Sequence, residues 1–326
     1  MKARAVRIHE PGGPEVLRLE EVGVSEPGPG EARVRHEFAG VNFIDTYHRS
    51  GLYPANLPLV LGQEGAGVVE SVGQGVQSVA AGDRVAYAGG PPGSYSDIRL
   101  IQADRLIPLP EPVDTRTAAA ITLRGMTVEY LIRRTFPVTE GMTVLWHAAA
   151  GGVGLLACEW LSSLGATVIG TVGSGLKATL ARNHGCARTI NYKEEDFVER
   201  VRELTGGKGV PVVYDGVGRS TLAGSLDCLS PRGLCVSFGN ASGRPKPVDV
   251  LTLAEKGSVY LTRPRLADYT GTHEELLASA SALFEAVAQN RIAVEIGQEF
   301  ALEQAAMAHG ALEERQTTGS TILSMG

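Results

Sequence analysis

The sequence predicts an α/β protein in which a doubly wound parallel sheet is joined to a second, β-rich domain. Its 326 residues suffice for two domains at about 100–200 residues each. From about Met142 onward, short apolar strands alternate with helical stretches, the pattern of a parallel sheet. Up to about Leu123, short β segments are instead punctuated by glycine and proline.

In the first region, Lys2–Ile8, Ala32–Ala39 and Gly67–Val72 carry the β-branched enrichment of strands, and Gly82-Asp83-Arg84-Val85 marks a turn into another. Pro108 and Pro110 close it. In the second region, Val144–Ala148 is a strand candidate followed by glycines, and Leu155–Leu164 a nearly continuous apolar helix stopped at Gly165. Thr167–Val172, Leu176–His184 and Arg188–Tyr192 repeat the rhythm of strand, helix and strand, with Gly185 ending the helix. Asp196–Leu204 is amphipathic, because Phe197, Val201 and Leu204 fall at helical intervals. Val210–Asp215, Leu222–Leu229 and Leu234–Phe238 extend the alternation, and Val259–Thr262 adds a sixth strand. Strands linked by helical crossovers pair in parallel, with helices on both faces. A helix over Glu274–Gln289, a second over Leu302–Glu314 and a strand at Ser320–Leu323 follow. Their return to the first domain would make it discontinuous: residues 1–124 and 266–326 in the β-rich domain, 125–265 in the other.

Composition narrows the function. Acidic residues exceed basic ones by 36 − 30 = 6, and no lysine or arginine block occurs, so neither nucleic acid nor an anionic membrane surface is an expected partner. No run reaches the roughly 18 apolar residues of a membrane span. Met1–Arg7 lacks the uncharged stretch of a signal peptide. Cys158, Cys186, Cys228 and Cys235 form no C-x-x-C pair and no cluster with histidine. A cytoplasmic setting and no cysteine-built metal site are the expectation.

The strongest local signal is Ala148-Ala149-Ala150-Gly151-Gly152-Val153-Gly154. Set against G-x-G-x-x-G, Ala149 replaces the first glycine while Gly151 and Gly154 keep theirs. The segment follows a strand, opens a helix and starts a βαβ unit, the context that a dinucleotide site requires. Gly151 lets backbone approach a pyrophosphate, Gly154 permits close helix–sheet packing, and the helix N-terminus favours the phosphates. A glycine-rich turn without a ligand is the other reading. An NAD-preferring site carries a carboxylate about 20 residues onward. There the chain has Val172-Gly173-Ser174, with Lys177 just beyond and Tyr192 ending the next strand. An ammonium and hydroxyls suit a 2′-phosphate, so NADP(H) is favoured, with a merely solvated Lys177 as the alternative.

With these residues in place, the chain resembles the medium-chain dehydrogenase/reductase superfamily. Gly40-Val41-Asn42-Phe43-Ile44-Asp45-Thr46-Tyr47 and the glycine motif carry the likeness, and Leu61-Gly62-Gln63-Glu64-Gly65-Ala66-Gly67 is similar to the superfamily's G-H-E-x-x-G segment. More narrowly, His147–Gly154, Gly170–Lys177, Val213-Tyr214-Asp215, Val236–Asn240 and Leu261-Thr262-Arg263-Pro264 resemble zinc-free NADPH:quinone oxidoreductases of the zeta-crystallin group. The resemblance implies a Rossmann domain and a GroES-like catalytic domain. Gln63 stands where metal-dependent members place a zinc-ligating histidine, no cysteine precedes Cys158, and the region of the structural-zinc lobe is short, with Gly89-Gly90-Pro91-Pro92-Gly93. No metal is therefore expected, and His36 and His48 are read as ordinary histidines.

The resemblance also implies roles by position. Asn42, Thr127, Tyr130, Gly151, Gly152, Val153, Gly173, Ser174, Lys177, Tyr192, Phe238, Gly239, Asn240 and Arg263 fall where related reductases touch NADPH, with Arg265 and Arg315 as further candidates. Tyr47, Tyr53, Asp45 and Gln63 lie in segments that line the substrate cleft in relatives; each tyrosine has simple packing as its alternative role, and Asp45 a local cap. The expected chemistry is hydride transfer from NADPH to a quinone, with Tyr53, Tyr47, or a water on Asn42 or Gln63 supplying a proton or charge stabilisation, and Asp45 orienting one of them. Reduction of an enone or alkenal double bond is a related possibility. A non-catalytic NADPH-binding role, as a crystallin or RNA-binding protein, is the reading from another class. Relatives pair across an edge strand, so a homodimer through Val259-Tyr260-Leu261 is expected.

Overall fold

The computed structural model describes residues 1–326, and the chain divides into two compact units. One comprises Met1–Met126, Tyr269–Ala288 and Val294–Gly326; the other comprises Thr127–Asp268 and Gln289–Ala293. No helix is long and apolar enough to cross a membrane.

The second unit is built on six strands: β1 (Thr143–Trp146), β2 (Thr167–Val172), β3 (Arg188–Asn191), β4 (Val210–Asp215), β5 (Leu229–Ser237) and β6 (Tyr260–Thr262). All pair in parallel, in the order β3-β2-β1-β4-β5-β6. Four crossover helices matter below: α1 (Gly152–Ser163), α2 (Gly175–Asn183), α3 (Phe197–Leu204) and α4 (Leu222–Asp227). The strand order reverses between β1 and β4, and in sheets of this kind ligands bind beyond the C-terminal strand ends at that point. Leu145, Ile169, Ile190, Val213 and Cys235 from five strands form the core, with Val201 of α3 and Leu226 of α4 packed on them. Asp196 starts α3 by accepting the backbone N–H groups of Val198 and Glu199 at 2.8 and 3.1 Å, which satisfies two donors the helix leaves unpaired.

One element differs from its expectation. The expected continuous element Leu222–Leu229 is split: α4 ends at Asp227 and β5 begins at Leu229, well before Leu234. Residues 230–233 fall between the two expected stretches, yet the strand absorbs Pro231, Arg232 and Gly233 as a bulge. The register shifts after Val210–Leu229, and Arg232 takes a positive φ of 63°.

In the first unit, the long strand Glu31–Val41 is central. It pairs antiparallel with Glu64–Val72, Ile98–Gln102 and the C-terminal strand Ser320–Ser324. The last of these brings the final residues into the same sheet as the first fifty, with Leu323 opposite Ala39. A smaller sheet joins Arg18–Gly23, Lys2–Ile8 and Leu59–Val60. Val6, Ile8, Val41, Leu61, Tyr95, Leu302, Ala308 and Leu323 share one buried cluster, so the helix Ala305–Glu313 packs into this unit.

The tightest constraint lies where β1 gives way to α1. A Cβ on Gly154 would stand 2.4 Å from the Ala148 carbonyl oxygen and 2.7 Å from that of Ala149, both rigid backbone atoms. Gly154→Ala gains about 1 kcal/mol of helix propensity, but overpacking costs about 1–3 kcal/mol and no flexible side chain is there to yield. The expected outcome is net destabilisation, measured as a lower denaturant midpoint.

Candidate active site

In the second unit, the sequence-predicted cofactor residues from Gly151 to Arg265 follow the C-terminal ends of the parallel strands. Gly151 precedes α1 in extended conformation and no side chain caps that helix, while Gly152 and Val153 form its first turn. The backbone donors of this turn suit a phosphate group. At the end of β2, Ser174 caps α2 by accepting the Lys177 N–H at 3.3 Å. The Tyr192 hydroxyl lies against Gly173, 2.5 Å from where a Cβ would stand, so only glycine lets it approach. No carboxylate occupies Val172-Gly173-Ser174. After β5, the Phe238 ring packs 5.6 Å from Trp146, Gly239 packs so close to the Gly216 carbonyl that a Cβ would stand only 2.4 Å from its oxygen, and Asn240 is buried. Arg263 donates to the Ser237 carbonyl at 3.0 Å, and Arg265 forms an exposed ion pair with Asp268 at 2.8 Å. Thr127 and Tyr130 lie at the start of this unit, Tyr130 buried.

The first unit holds the other candidates. The helix Phe43–Arg49 begins at Asn42, whose backbone N–H donates to Asp45 Oδ2 at 2.8 Å, a capping contact. The Asn42 amide donates to Glu64 Oε2 at 2.8 Å, and Glu64 Oε1 accepts the Leu123 N–H at 2.7 Å. Gln63 Nε2 donates to His48 Nε2 at 2.9 Å. The Tyr53 ring stands edge-on to both Tyr47 and His48, with centroids 5.3 and 5.9 Å apart. Arg315 follows the helix Ala305–Glu313 with a positive φ of 60°. His36 is buried, bonded through Nδ1 to the Ser96 carbonyl and through Nε2 to the Tyr87 hydroxyl. No group of three or more His, Cys, Asp or Glu side chains is arranged to hold a metal ion.

Residues 152–279 match the zinc-binding dehydrogenase family, and residues 28–111 match the alcohol dehydrogenase GroES-like domain. The chain is 52% identical to a quinone oxidoreductase of Pseudomonas aeruginosa, over 98% of this chain and 99% of that protein. The chain belongs to the quinone oxidoreductase family. The crystal structure of Escherichia coli quinone oxidoreductase complexed with NADPH superposes with a TM-score of 0.97 at 48% identity, covering 98% of this chain and 99% of that one. A 2-haloacrylate reductase of a Burkholderia species is 46% identical over 98% of each chain. The medium-chain dehydrogenase/reductase architecture expected from the sequence is thus the one present: a parallel Rossmann-type sheet and a separate mixed sheet.

Sequence reasoning missed the polar chain behind Asp45. Arg49 Nη1 contacts His309 Nδ1 at 3.1 Å, His309 Nε2 contacts the Tyr95 hydroxyl at 3.0 Å, and that hydroxyl donates to Asp45 Oδ2 at 3.1 Å. Guanidinium only donates, so His309 accepts at Nδ1 and carries its proton on Nε2. Every proton then points toward Asp45. Burial holds the His309 imidazole neutral, its pKa pushed down to about 3, with the Arg49 charge acting in the same sense. Arg49 also donates to Glu313 at 2.6 Å, which anchors the outer end. Tyr95 and His309 stand far from the glycine motif and in no pattern, so no local signal marked them.

Burial raises the Asp45 carboxyl to about 7, although the Asn42 and Tyr95 donors and the Arg124 charge favour ionisation; Glu64 nearby opposes it. Asp45 Oδ1 has no hydrogen-bond partner. A carboxyl whose pKa is higher folded than unfolded binds more protons in the native state, so its contribution to stability is full below about pH 4 and is lost as pH rises through about 7. Asp45→Asn keeps an acceptor for Asn42 and Tyr95 without the charge. In paired denaturation curves, the variant is expected to gain stability relative to the parent between pH 4 and pH 8. A pH-independent difference would contradict the assignment.

Proposed function

We propose that this protein reduces quinones with NADPH, by hydride transfer that uses no bound zinc. The observation that carries the reading is the uncapped N-terminus of α1, set at the reversal of strand order in a chain that matches quinone oxidoreductases over nearly its whole length. NADPH, when bound, supplies the hydride. Gly151, Gly152 and Val153 hold its diphosphate on backbone N–H groups. Lys177, Ser174 and Tyr192 surround the place of the 2′-phosphate, where a carboxylate would repel it; Gly173 makes room. Thr127, Tyr130, Phe238, Gly239, Asn240 and Arg263 complete the cofactor contacts, with Arg265 and Arg315 as further candidates.

In the first unit, Asn42, Gln63, Tyr47 and Tyr53 serve the acceptor. A quinone ring is electrophilic without a Lewis acid, and its reduced oxygen requires only charge stabilisation and a proton. The Tyr53 hydroxyl supplies that proton, its ring set by edge contacts with Tyr47 and His48. Asp45 holds Asn42 in place through the helix cap. Gln63 in place of a histidine, with no cysteine before Cys158, supports a metal-free centre.

The 46% likeness to a 2-haloacrylate reductase favours a second reading, reduction of a conjugated carbon–carbon double bond. Rates of NADPH oxidation on simple quinones and on enones, with and without chelator, separate the two. Turnover on quinones unaffected by chelator is expected, and failure on every conjugated acceptor overturns the reductase reading. Lys177→Ala is expected to raise the KM for NADPH roughly tenfold or more, the worth of a charge-assisted hydrogen bond, while leaving that for NADH unchanged. Equal losses for both coenzymes would remove Lys177 from the 2′-phosphate site.

Assembly as a homodimer belongs to the same reading. β6 ends the sheet, and Tyr260 on it is 61% exposed; an unpaired edge is commonly covered. Light scattering is expected to give twice the chain mass, and a monomer mass would overturn the pairing. Four buried cysteines kept as free thiols support a cytoplasmic location.

A further inference from the structure

The turn that opens α1 contains a left-handed residue that is not glycine: Ala148, with φ of 55°. An L-residue there costs about 1–2 kcal/mol, so something must hold it. Two acceptors on Thr171 do so. The Ala148 N–H donates to the Thr171 hydroxyl at 3.3 Å, and the Ala149 N–H to the Thr171 carbonyl at 3.0 Å. Behind them runs a buried polar chain. Thr171 Oγ1 lies 2.9 Å from His147 Nδ1, His147 Nε2 lies 3.0 Å from Ser225 Oγ, and that hydroxyl lies 2.7 Å from Asp215 Oδ2. His147, Thr171, Ser225 and Asp215 are all buried.

The chemistry of the two ends fixes every proton between them. A carboxylate only accepts, so the Ser225 hydroxyl gives its proton to Asp215 Oδ2, which is nearer than the competing Thr221 carbonyl at 3.0 Å. Ser225 then accepts from His147, whose proton sits on Nε2. His147 Nδ1 is left as an acceptor and takes the Thr171 proton, which frees the Thr171 oxygen for the Ala148 N–H. Burial keeps the imidazole in the neutral state this order needs, although the Asp215 charge acts against it. Asp215 Oδ1 in turn accepts from the Val217 and Gly218 N–H groups and from the Thr221 hydroxyl, so the far end is anchored on the loop after β4.

We propose that Thr171, His147, Ser225 and Asp215 form a positioning chain that sets the left-handed turn at Ala148, hence the aim of the α1 N-terminus and the affinity for NADPH. None of the four touches the coenzyme in this account; they act through the turn. The proposal rests on the NADPH reading given above for its effect on affinity, but not for its effect on the turn.

The test uses the full-length protein. Thr171→Val removes the hydroxyl at nearly constant shape, and Thr171→Ser keeps it. NADPH binding is followed by fluorescence titration, and quinone KM at saturating NADPH. Thr171→Val removes both bonds of the hydroxyl; loss of the one that holds the Ala148 N–H is expected to weaken NADPH about tenfold and to speed amide exchange at Ala148 about tenfold in the ligand-free protein. Quinone KM stays unchanged, and Thr171→Ser restores both readouts. Ser225→Ala, which cuts the chain at the other end, gives the same direction if the valine variant does not fold. Long-range proton–nitrogen spectra of the unaltered protein are expected to show His147 neutral with its proton on Nε2. Unchanged NADPH affinity in Thr171→Val, or a His147 proton on Nδ1, overturns the proposal. If the unaltered protein takes up no NADPH, the coenzyme reading fails, and exchange at Ala148 with the His147 tautomer still decides whether the chain holds the turn.

Discussion

Between the last residue of β1, Trp146, and the first of α1, Gly152, the backbone has five residues in which to turn from strand to helix. The space there is so limited that Gly154 tolerates no side chain and Ala148 is driven to positive φ. Much of the second unit follows from that junction. The helix can lie close on the sheet because Gly154 has no Cβ, and no side chain caps its first turn, while the Thr171 hydroxyl accepts the Ala148 N–H in the turn before it. A cap of serine or aspartate would stabilise the helix by about 1 kcal/mol. It would also occupy the donors that a phosphate needs. The missing cap is a local cost consistent with a site for an anion.

Both units solve the problem of buried polar groups in the same way. In each, a run of side chains is laid between an end that can only donate or only accept and a backbone or carboxylate that completes it. Arg49 orders the protons through His309 and Tyr95 to Asp45; Asp215 orders them through Ser225 and His147 to Thr171. Burying such groups unpaired costs about 1–3 kcal/mol each, so a chain with one permitted proton order also permits one geometry. The two imidazoles are held neutral by burial, which removes the option of reversing the order by protonation. Asp45 is the exception within this scheme. Its Oδ1 lacks a partner and its carboxyl titrates near neutrality, so the first unit keeps one protonation equilibrium open.

The fold class, the series of strands and helices and the glycine-rich turn before α1 were legible in the chain because their causes are local. Apolar periodicity over Phe197, Val201 and Leu204, glycines at 151 and 154, and the lack of a carboxylate at 172–174 each act within a few residues. Where the expectation failed, tertiary pairing is the reason: residues 230–233 fall outside the expected strand, yet β5 carries them as a bulge because it pairs with β4 on both sides of them, at Leu229 and from Leu234.

The partners of the buried polar residues were decided only by the tertiary structure. Arg49 and His309 are 260 residues apart, and Asp45 and Tyr95 are 50 apart. His147 gave no sign in the sequence that it would meet Ser225 rather than pack in apolar surroundings. The physical reason is the range of the forces involved. Steric preference and helix or strand periodicity are written into neighbouring residues, whereas a hydrogen bond forms only within about 3 Å. Which distant side chains come that close is set by how the strands are ordered and stacked.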